Sequence, residues 1–377
     1  MLVQPGQRTL YAATADFQLP KEGYRVNLET AQMLTSAMPL PVVLIGPDAR
    51  IRSANAAARQ LFGTDVEGRH YMLALRAPGL VDCIEAALRG GAPAEVRHRM
   101  SERGHDSLWR VTAAPLPTGQ GALVSFIDET ATEAAERMRR DFIANVSHEL
   151  KTPLTALSGF IETLRGAARD DAAARERFLQ IMDREAGRMR RLVDDLLSLS
   201  RVEGEERVRP TGRIEIGPLL ASVVAALRPQ AEERAVAVDL RVPAGIPAVA
   251  GDSDQLTQVF TNLLENALKY GASGGNVTVA VSDMGRDPAL RASAVRVDVT
   301  DRGEGFDPVH IPRLTERFYR IDGHRSRAEG GTGLGLAIVK HIVGRHRGRL
   351  SIESAPGKGA CFSVILPQAD ELRSEAG

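Results

Sequence analysis

Residues 142–155 read FIANVSHELKTPLT, a stretch in which apolar side chains return at helical intervals around a single histidine. The apolar positions of this region are spaced by 3, 4, 4, 3, 4 and 3 residues: Ile143, Val146, Leu150, Leu154, Leu157, Ile161 and Leu164. That spacing puts them on one face of an α-helix. His148 points about 140–200° away from the start of the stripe, so we predict an exposed imidazole.

A second apolar stripe follows the turn region 166–171, with spacings of 4, 3, 4, 3, 4 and 3: Phe178, Met182, Glu185, Met189, Leu192, Leu196 and Leu199. Glu185 is its one polar member. Two such helices joined by a short turn form an antiparallel hairpin. Because one hairpin cannot cover its own apolar seam, we predict a homodimer with a four-helix bundle over residues 130–203.

The sequence on either side of the hairpin predicts two further domains, so the fold class is multidomain α+β. Residues 32–129 contain short apolar runs broken by turn residues, typical of a sheet with short helices. Residues 214–367 alternate helices with strands and predict an α/β sandwich: helices 216–227, 254–270 and 335–345, and strands 235–242, 276–281, 295–300, 349–354 and 361–366. We expect an N-terminal arm over 1–31, a linker over 202–213 and a polar tail over 368–377.

Composition excludes several classes of function. Lys and Arg (48) balance Asp and Glu (48), and no basic run is interleaved with aromatic residues, so we expect no direct contact with nucleic acid. The two cysteines, Cys83 and Cys361, are far apart and suit a reducing compartment. No run reaches the roughly 18 apolar residues of a membrane span. We therefore expect a cytoplasmic chain, whose association with any membrane would be peripheral and through partners.

The residues around His148 are suited to phosphoryl chemistry. An exposed imidazole next to the carboxylate of Glu149 can attack phosphorus if the carboxylate orients it or takes its proton. Thr152 lies one helical turn further on the same face, where its hydroxyl can position a water molecule. On the residues alone, a surface histidine on a polar helix face explains His148 equally well.

Glycine-rich segments in the third domain favour a nucleotide site. Asp301 follows a strand and precedes Gly303 and Gly305, and its carboxylate suits the exocyclic amine of adenine. A second segment opens a helix, whose N-terminal N–H groups favour phosphate: Gly331, Thr332, Gly333, Leu334 and Gly335.

Side chains of the helix over 254–270 complete this predicted site. Asn262 and Asn266, one turn apart, can present amide oxygens to a Mg²⁺ ion that bridges phosphates. Lys269 and Tyr270 add a charge and a flat face. We predict a lid over 315–330, anchored by Phe318 and with Arg320 directed toward phosphate.

Taken together, these residues resemble the sensor histidine kinases of two-component systems. Five segments match the family's boxes in order, over about 131–367: 142–155 the H box, 254–270 the N box, 301–306 the G1 box, 315–320 the F box and 330–336 the G2 box. Residues 32–129, ending in Asp128-Glu-Thr130, resemble a PAS sensor domain. The surroundings of His148 resemble the phosphate-regulon branch of the family most.

The resemblance implies a GHKL (Bergerat) ATP-binding fold and a role for each matched residue. His148 would accept the γ-phosphoryl group of ATP, with Glu149 as its acid/base partner and Thr152 serving a phosphatase activity. Asn266 would hold Mg²⁺ and Asp301 would bind adenine. The partner would be a response regulator, with a winged-helix transcription factor implied by the phosphate-regulon likeness.

Two other functions share the prediction of nucleotide binding. One is a regulatory scaffold that binds ATP without transferring it, which the presence of His148, Asn266 and Asp301 together argues against. The other is an ATPase, which Asn262 argues against, since related ATPases of the gyrase and Hsp90 type carry at this position a glutamate that activates water. Of the three functions, the kinase alone predicts a phosphohistidine.

Overall fold

A computed structural model describes residues 28–102, 105–204, 209–321 and 331–369. The chain divides into two compact units, Met1–Arg140 and Asp141–Gly377. Residues 1–27 of the predicted arm, most of the lid (322–330) and the predicted tail from residue 370 onward lie outside the described residues.

The first unit is built on a five-stranded antiparallel sheet in the order β2-β1-β5-β4-β3. Its strands are β1 Val42–Ile45, β2 Ile51–Ala54, β3 Ala94–Glu102, β4 His105–Pro115 and β5 Ala122–Asp128. Its helices are α1 Leu28–Ser36, α2 Ala56–Phe62 and α3 Pro78–Leu88. The buried face of the sheet packs under α3 through fully buried side chains that include Ile45, Tyr71, Ile84 and Phe126.

The structure adds detail that the sequence interpretation did not give. Helix α1 runs across the predicted limit between the arm and the sheet domain at residue 31. Helix α3 and strand β3 were not predicted individually. The supposed linker 202–213 is ordered at both described ends, because Val202 is buried at the end of a helix and Gly212–Ile214 forms strand β6.

Two long helices form the hairpin, α4 Thr130–Arg165 and α5 Ala172–Gly204. Leu192, Leu199 and Val202 of α5 are buried, and Pro153 lies inside α4. Other apolar side chains of both helices are 44–55% exposed: Ile143, Leu154, Ile161, Leu179, Val193 and Leu197. The hairpin thus covers one part of its apolar surface and leaves another part uncovered, as expected for half of a bundle.

The rest of the second unit is an α/β sandwich. Its main sheet has the order β11-β12-β10-β9-β7. Among the described residues, β7 and β9 pair in parallel and the other neighbouring strands pair antiparallel. The strands are β7 Ala237–Arg241, β8 Val249–Gly251, β9 Asn276–Asp287, β10 Ala292–Asp301, β11 Arg349–Ser354 and β12 Ala360–Pro367, and β6 pairs with β8. The helices are α6 Ile216–Glu233, α7 Ser253–Tyr270 and α8 Gly335–Arg345.

One apolar core joins these three helices to the sheet. Val259, Leu263, Val297 and Ile338 are all fully buried in it. Each of these helices has a single apolar face, which the sheet covers. The predicted fold class, a sheet domain, a helical hairpin and an α/β sandwich, matches this architecture. In the described part of the chain, no helix combines the length and the apolar character that crossing a membrane requires.

Candidate functional site

Helix α4 presents His148 to solvent, as its helical position predicts. The hydroxyl of Thr152 donates to the backbone carbonyl of His148 at 3.1 Å, so the two residues share one exposed turn. Glu149 points toward the other helix of the hairpin instead. Its Oε2 accepts a hydrogen bond from Arg188 of α5 at 2.7 Å.

Asp301, at the end of β10, is the most enclosed polar residue of the predicted nucleotide site, with 5% of its surface exposed. Its Oδ1 accepts backbone N–H groups of Gly303 at 2.9 Å and Ala360 at 3.3 Å. Burial raises the pKa of this carboxyl, and the two N–H donors oppose that rise. Among the described residues none donates to Oδ2, which is therefore available to a ligand amine.

Glycines surround Asp301 because the backbone approaches too closely for a side chain. A Cβ on Gly303 would overlap the Tyr270 carbonyl oxygen, and one on Gly359 would overlap the carbonyl oxygen of Asp301 itself. Gly305 and Gly359 also have positive φ, +62° and +73°, which L residues rarely adopt. These positions admit only glycine for a physical reason that agrees with their predicted place in the site.

The second glycine segment leads into the N-terminus of α8. Leu334 occupies the N-cap without a side-chain cap, so the first turn of α8 keeps N–H groups for an anion. Gly333, with φ +73°, lies against the backbone of Phe318, where a Cβ would come within 2.9 Å of Cα. Gly335 faces Asn262 of α7, with the Asn262 Oδ1 3.3 Å from a Cβ at that position.

The polar side chains of α7 occupy the turns next to these glycines. Asn262 Nδ2 is buried and has no hydrogen-bond partner in the described part of the chain. Asn266 is half-buried one turn further on, and Lys269 Nζ lies 2.9 Å from Tyr270 Oη and 4.6 Å from the ring centre. The described residues hold no cluster of three or more His, Cys, Asp or Glu that could bind a metal. A Mg²⁺ ion here would combine amide and phosphate oxygens, the ligands that it prefers, which fits the residues present.

The start of the lid segment joins this site to the hairpin. Phe318, with φ +64°, donates its N–H to the Gly333 carbonyl at 2.8 Å, and its ring lies 5.9 Å from the ring of Phe142 on α4. Arg320 donates to the Gly331 carbonyl, and its Nη2 lies 3.8 Å from Glu149 Oε2. Arg320 thus lies between the glycine segment and the neighbour of His148, rather than facing phosphate alone.

Sequence reasoning missed two contacts that α5 makes. Thr332 donates its hydroxyl to Asp195 Oδ2 at 2.6 Å, and burial raises the pKa of Asp195 while this hydrogen bond opposes the rise. Arg188 reaches Glu149 across the hairpin. The polar Glu185 in an otherwise apolar stripe was the one local sign that α5 carries charged groups at the seam.

Family models match three successive parts of the chain. Residues 35–134 match the PAS fold, 138–205 the His Kinase A (phospho-acceptor) domain, and 251–370 the histidine kinase-, DNA gyrase B- and HSP90-like ATPase.

Curated relatives match most of the chain. The phosphate regulon sensor protein PhoR of Pseudomonas aeruginosa is 33% identical over 359 residues, 92% of this chain and 76% of that protein. The sensor-like histidine kinase SenX3 of Mycolicibacterium smegmatis is 36% identical over 254 residues, 67% of this chain and 64% of that protein. Among solved structures, the histidine kinase ThkA in complex with the response regulator protein TrrA has a TM-score of 0.49 at 21% identity, covering 90% of this chain and 98% of that one.

Proposed function

The chain belongs to the sensor histidine kinases, and from that membership we propose that His148 is the residue it phosphorylates. As a member of the family it uses ATP to phosphorylate itself. The observation that supports His148 is the position of Arg320. Its guanidinium donates to the Gly331 carbonyl, and its Nη2 lies 3.8 Å from Glu149 Oε2. Arg320 therefore connects the glycine segment before α8 to the helical turn that contains His148.

The proposed reaction needs positioning and charge neutralisation more than covalent chemistry by the protein. Asp301 binds the adenine amine, and the N-terminus of α8 with its glycines binds the phosphates. An imidazole nitrogen of His148 attacks the γ-phosphorus, the bond to the bridging β–γ oxygen breaks, and ADP leaves. The proton on the other ring nitrogen passes to Glu149. Asn266, with Asn262, Lys269 and Tyr270 around it, would hold the Mg²⁺ ion, which supplies positive charge at the phosphates.

The phosphohistidine then serves as a donor. An N–P bond is labile, so an aspartate of a response regulator docked on the hairpin accepts the phosphoryl group. In the opposite signalling state Thr152, exposed one turn from His148, positions a water molecule that hydrolyses the aspartyl phosphate. The exposed apolar residues of α4 and α5 support a homodimer through a four-helix bundle.

The physiological setting follows from the relatives. The likeness to PhoR supports a role in a phosphate regulon, with a winged-helix transcription factor as the response regulator. We assign sensing to residues 32–129, transfer to 130–203 and ATP binding to 214–367. Because ATP is the substrate, we place the catalytic domain in the cytoplasm.

Radiolabelled MgATP tests this proposal on the wild-type chain beside His148→Gln. We expect label that is acid-labile and base-stable, and that disappears in the variant. ATP binding without label on the wild-type chain would contradict the proposal and favour the regulatory scaffold. Steady release of phosphate without label would favour the ATPase.

A further inference from the structure

The seam between α4 and α5 contains three charged side chains, one of which, Glu185, occupies a position of the predicted apolar stripe. Glu185 and Arg188 come from α5 and Glu149 from α4. The side chains of Arg188 and Glu149 are only 14% and 18% exposed. Replacing a buried ion pair with apolar residues is often neutral or stabilising, so stability alone does not account for these charges.

The geometry gives Arg188 a specific task at Glu149. Its Nη2 donates to Glu149 Oε2 at 2.7 Å, the length of a charge-assisted hydrogen bond. Its Nη1 lies 3.9 Å from Glu185 Oε2, so a second carboxylate of its own helix steadies the guanidinium. Arg320 also lies near Oε2, at 3.8 Å, but it belongs to the lid segment and its hydrogen bond goes to Gly331.

We propose that Arg188 is a positioning residue for autophosphorylation, which holds one oxygen of the Glu149 carboxylate and leaves the other free to accept the proton of His148. This inference rests on the proposed role of Glu149 as proton acceptor. In the described part of the chain, Oε1 of Glu149 has no hydrogen-bond partner, whereas Oε2 is held. Without Arg188, the long side chain of Glu149 would sample several rotamers, only some of which reach the imidazole.

The role of Arg188 is distinct from ATP binding. In the described part of the chain, the side-chain contacts of Arg188 are with Glu149 and Glu185 on the hairpin, and neither residue belongs to the nucleotide pocket. Loss of Arg188 should therefore lower kcat for autophosphorylation and leave the KM for ATP unchanged. It should have no further effect once Glu149 cannot accept a proton.

A double-mutant cycle on the full chain tests this with MgATP as the probe. Initial rates of phosphohistidine formation are measured for the wild type, Arg188→Gln, Glu149→Gln and the double variant, with Arg188→Lys as the conservative change. We expect Arg188→Gln to lower kcat about tenfold with KM within about twofold, since misplacement of a catalytic group costs rate rather than binding. Arg188→Lys should recover part of the loss. The double variant should be no slower than Glu149→Gln, because interacting residues are non-additive.

The matched control is Arg184→Gln, one turn earlier on α5 and exposed, which should leave kcat unchanged. Thermal unfolding and nucleotide affinity of each variant show whether the fold survives. If Arg188→Gln alone is unstable, Glu149→Gln can still be compared with the double variant, in which both charges of the pair are absent. Equal rates of these two variants would support the inference, and a slower double variant would contradict it.

Each outcome has one meaning. A kcat for Arg188→Gln equal to or above that of the wild type overturns the inference, as does a loss that multiplies with that of Glu149→Gln. If Glu149→Gln forms phosphohistidine at the wild-type rate, Glu149 is not the proton acceptor, and the proposed role of Arg188 is also wrong. If neither the wild type nor any variant forms phosphohistidine, the proposal that His148 is phosphorylated is wrong.

Discussion

The helical hairpin and the ATP-binding sandwich build their parts of the site in different ways. In the sandwich, Asp301 is buried and fixed by backbone N–H groups, and the surrounding glycines admit no side chain. In the hairpin, His148 and Thr152 are exposed, and only Glu149 is fixed, by a single side chain. A site made of backbone is specific and rigid, whereas a site made of exposed side chains can meet successive partners. A phosphorelay requires both properties.

The largest expected effect concerns the glycines of the sandwich. Their replacement should destabilise the fold mainly where a Cβ would overlap neighbouring backbone, and less where only the positive φ is unfavourable. Gly359 and Gly357 both have positive φ, +73° and +75°, but a Cβ on Gly359 would overlap Asp301 and one on Gly357 has nothing within 4 Å. We expect Gly359→Ala to lower the free energy of unfolding by about 3 kcal/mol or more, and Gly357→Ala by about 1 kcal/mol. Chemical denaturation of both variants measures this, and equal losses would contradict the close packing around Asp301.

The next effect concerns exposed apolar side chains, which we expect to form the dimer interface in the hairpin but not in the sandwich. Leu154 is 55% exposed on α4 and Val309 is 67% exposed in the sandwich. Leu154→Glu would place a charge in the bundle, so we expect dimerisation to weaken by about 2 kcal/mol or more, about thirtyfold in Kd. Analytical ultracentrifugation measures the Kd, and Val309→Glu is the matched control with an unchanged Kd. An unaltered dimer in Leu154→Glu would show that this face is not the interface.

A smaller effect is expected at Asp301. Asp301→Asn keeps an oxygen for the N–H groups of Gly303 and Ala360 but removes the charge that we propose accepts the adenine amine. We expect ATP to bind about tenfold to a hundredfold more weakly, the value of a hydrogen bond to a charged group. Calorimetric titration with ATP measures the change, with GTP as the control ligand. Unchanged ATP affinity would mean that adenine is bound elsewhere.

The smallest effect is a pH dependence confined to the sandwich. His346 is fully buried, its Nε2 accepts the N–H of Asp252 at 3.0 Å, and burial lowers its pKa. The unfolded chain therefore binds a proton that the folded chain excludes. The stability that the neutral ring provides is complete above about pH 6.5 and declines, by at most about 1.4 kcal/mol per pH unit, as the pH falls through the lowered pKa.

Urea unfolding of the wild type and His346→Gln, over a pH series from about 5 to about 8, isolates this contribution. The difference in stability between the two should favour the wild type most at the upper end of the series and shrink toward the lower end. A difference that stays constant with pH would mean that His346 does not titrate on unfolding.

Local patterns predicted those parts of the fold in which local chemistry decides the structure. Helix α8 and strand β11 have the predicted bounds, because glycines interrupt the chain on both sides of them. Strand β9 extends to Asp287, beyond the predicted end, because pairing with β10 continues past the apolar residues. Strand β3 was missed because its charged residues hide the alternation that a half-buried strand normally shows.

The candidate site also contains residues that a local pattern predicts and residues that only the folded chain brings together. Candidate residues that belong to a short motif, such as His148 and Asp301, could be proposed from the sequence. Arg188 and Asp195 could not, because each meets its partner only after tertiary packing, across 39 and 137 residues respectively. No periodicity relates positions so far apart, and the charge at Glu185 shows only that the seam is not purely apolar.

The most direct test of the central claim is to locate the phosphoryl group itself. The chain would be incubated with MgATP, digested at neutral pH or above, and its phosphopeptides fragmented by electron transfer, which preserves the N–P bond. We predict a single phosphoryl group on His148, in the peptide that contains Glu149 and Lys151. A phosphoryl group on any other histidine, or none on a chain that binds ATP, would contradict the account.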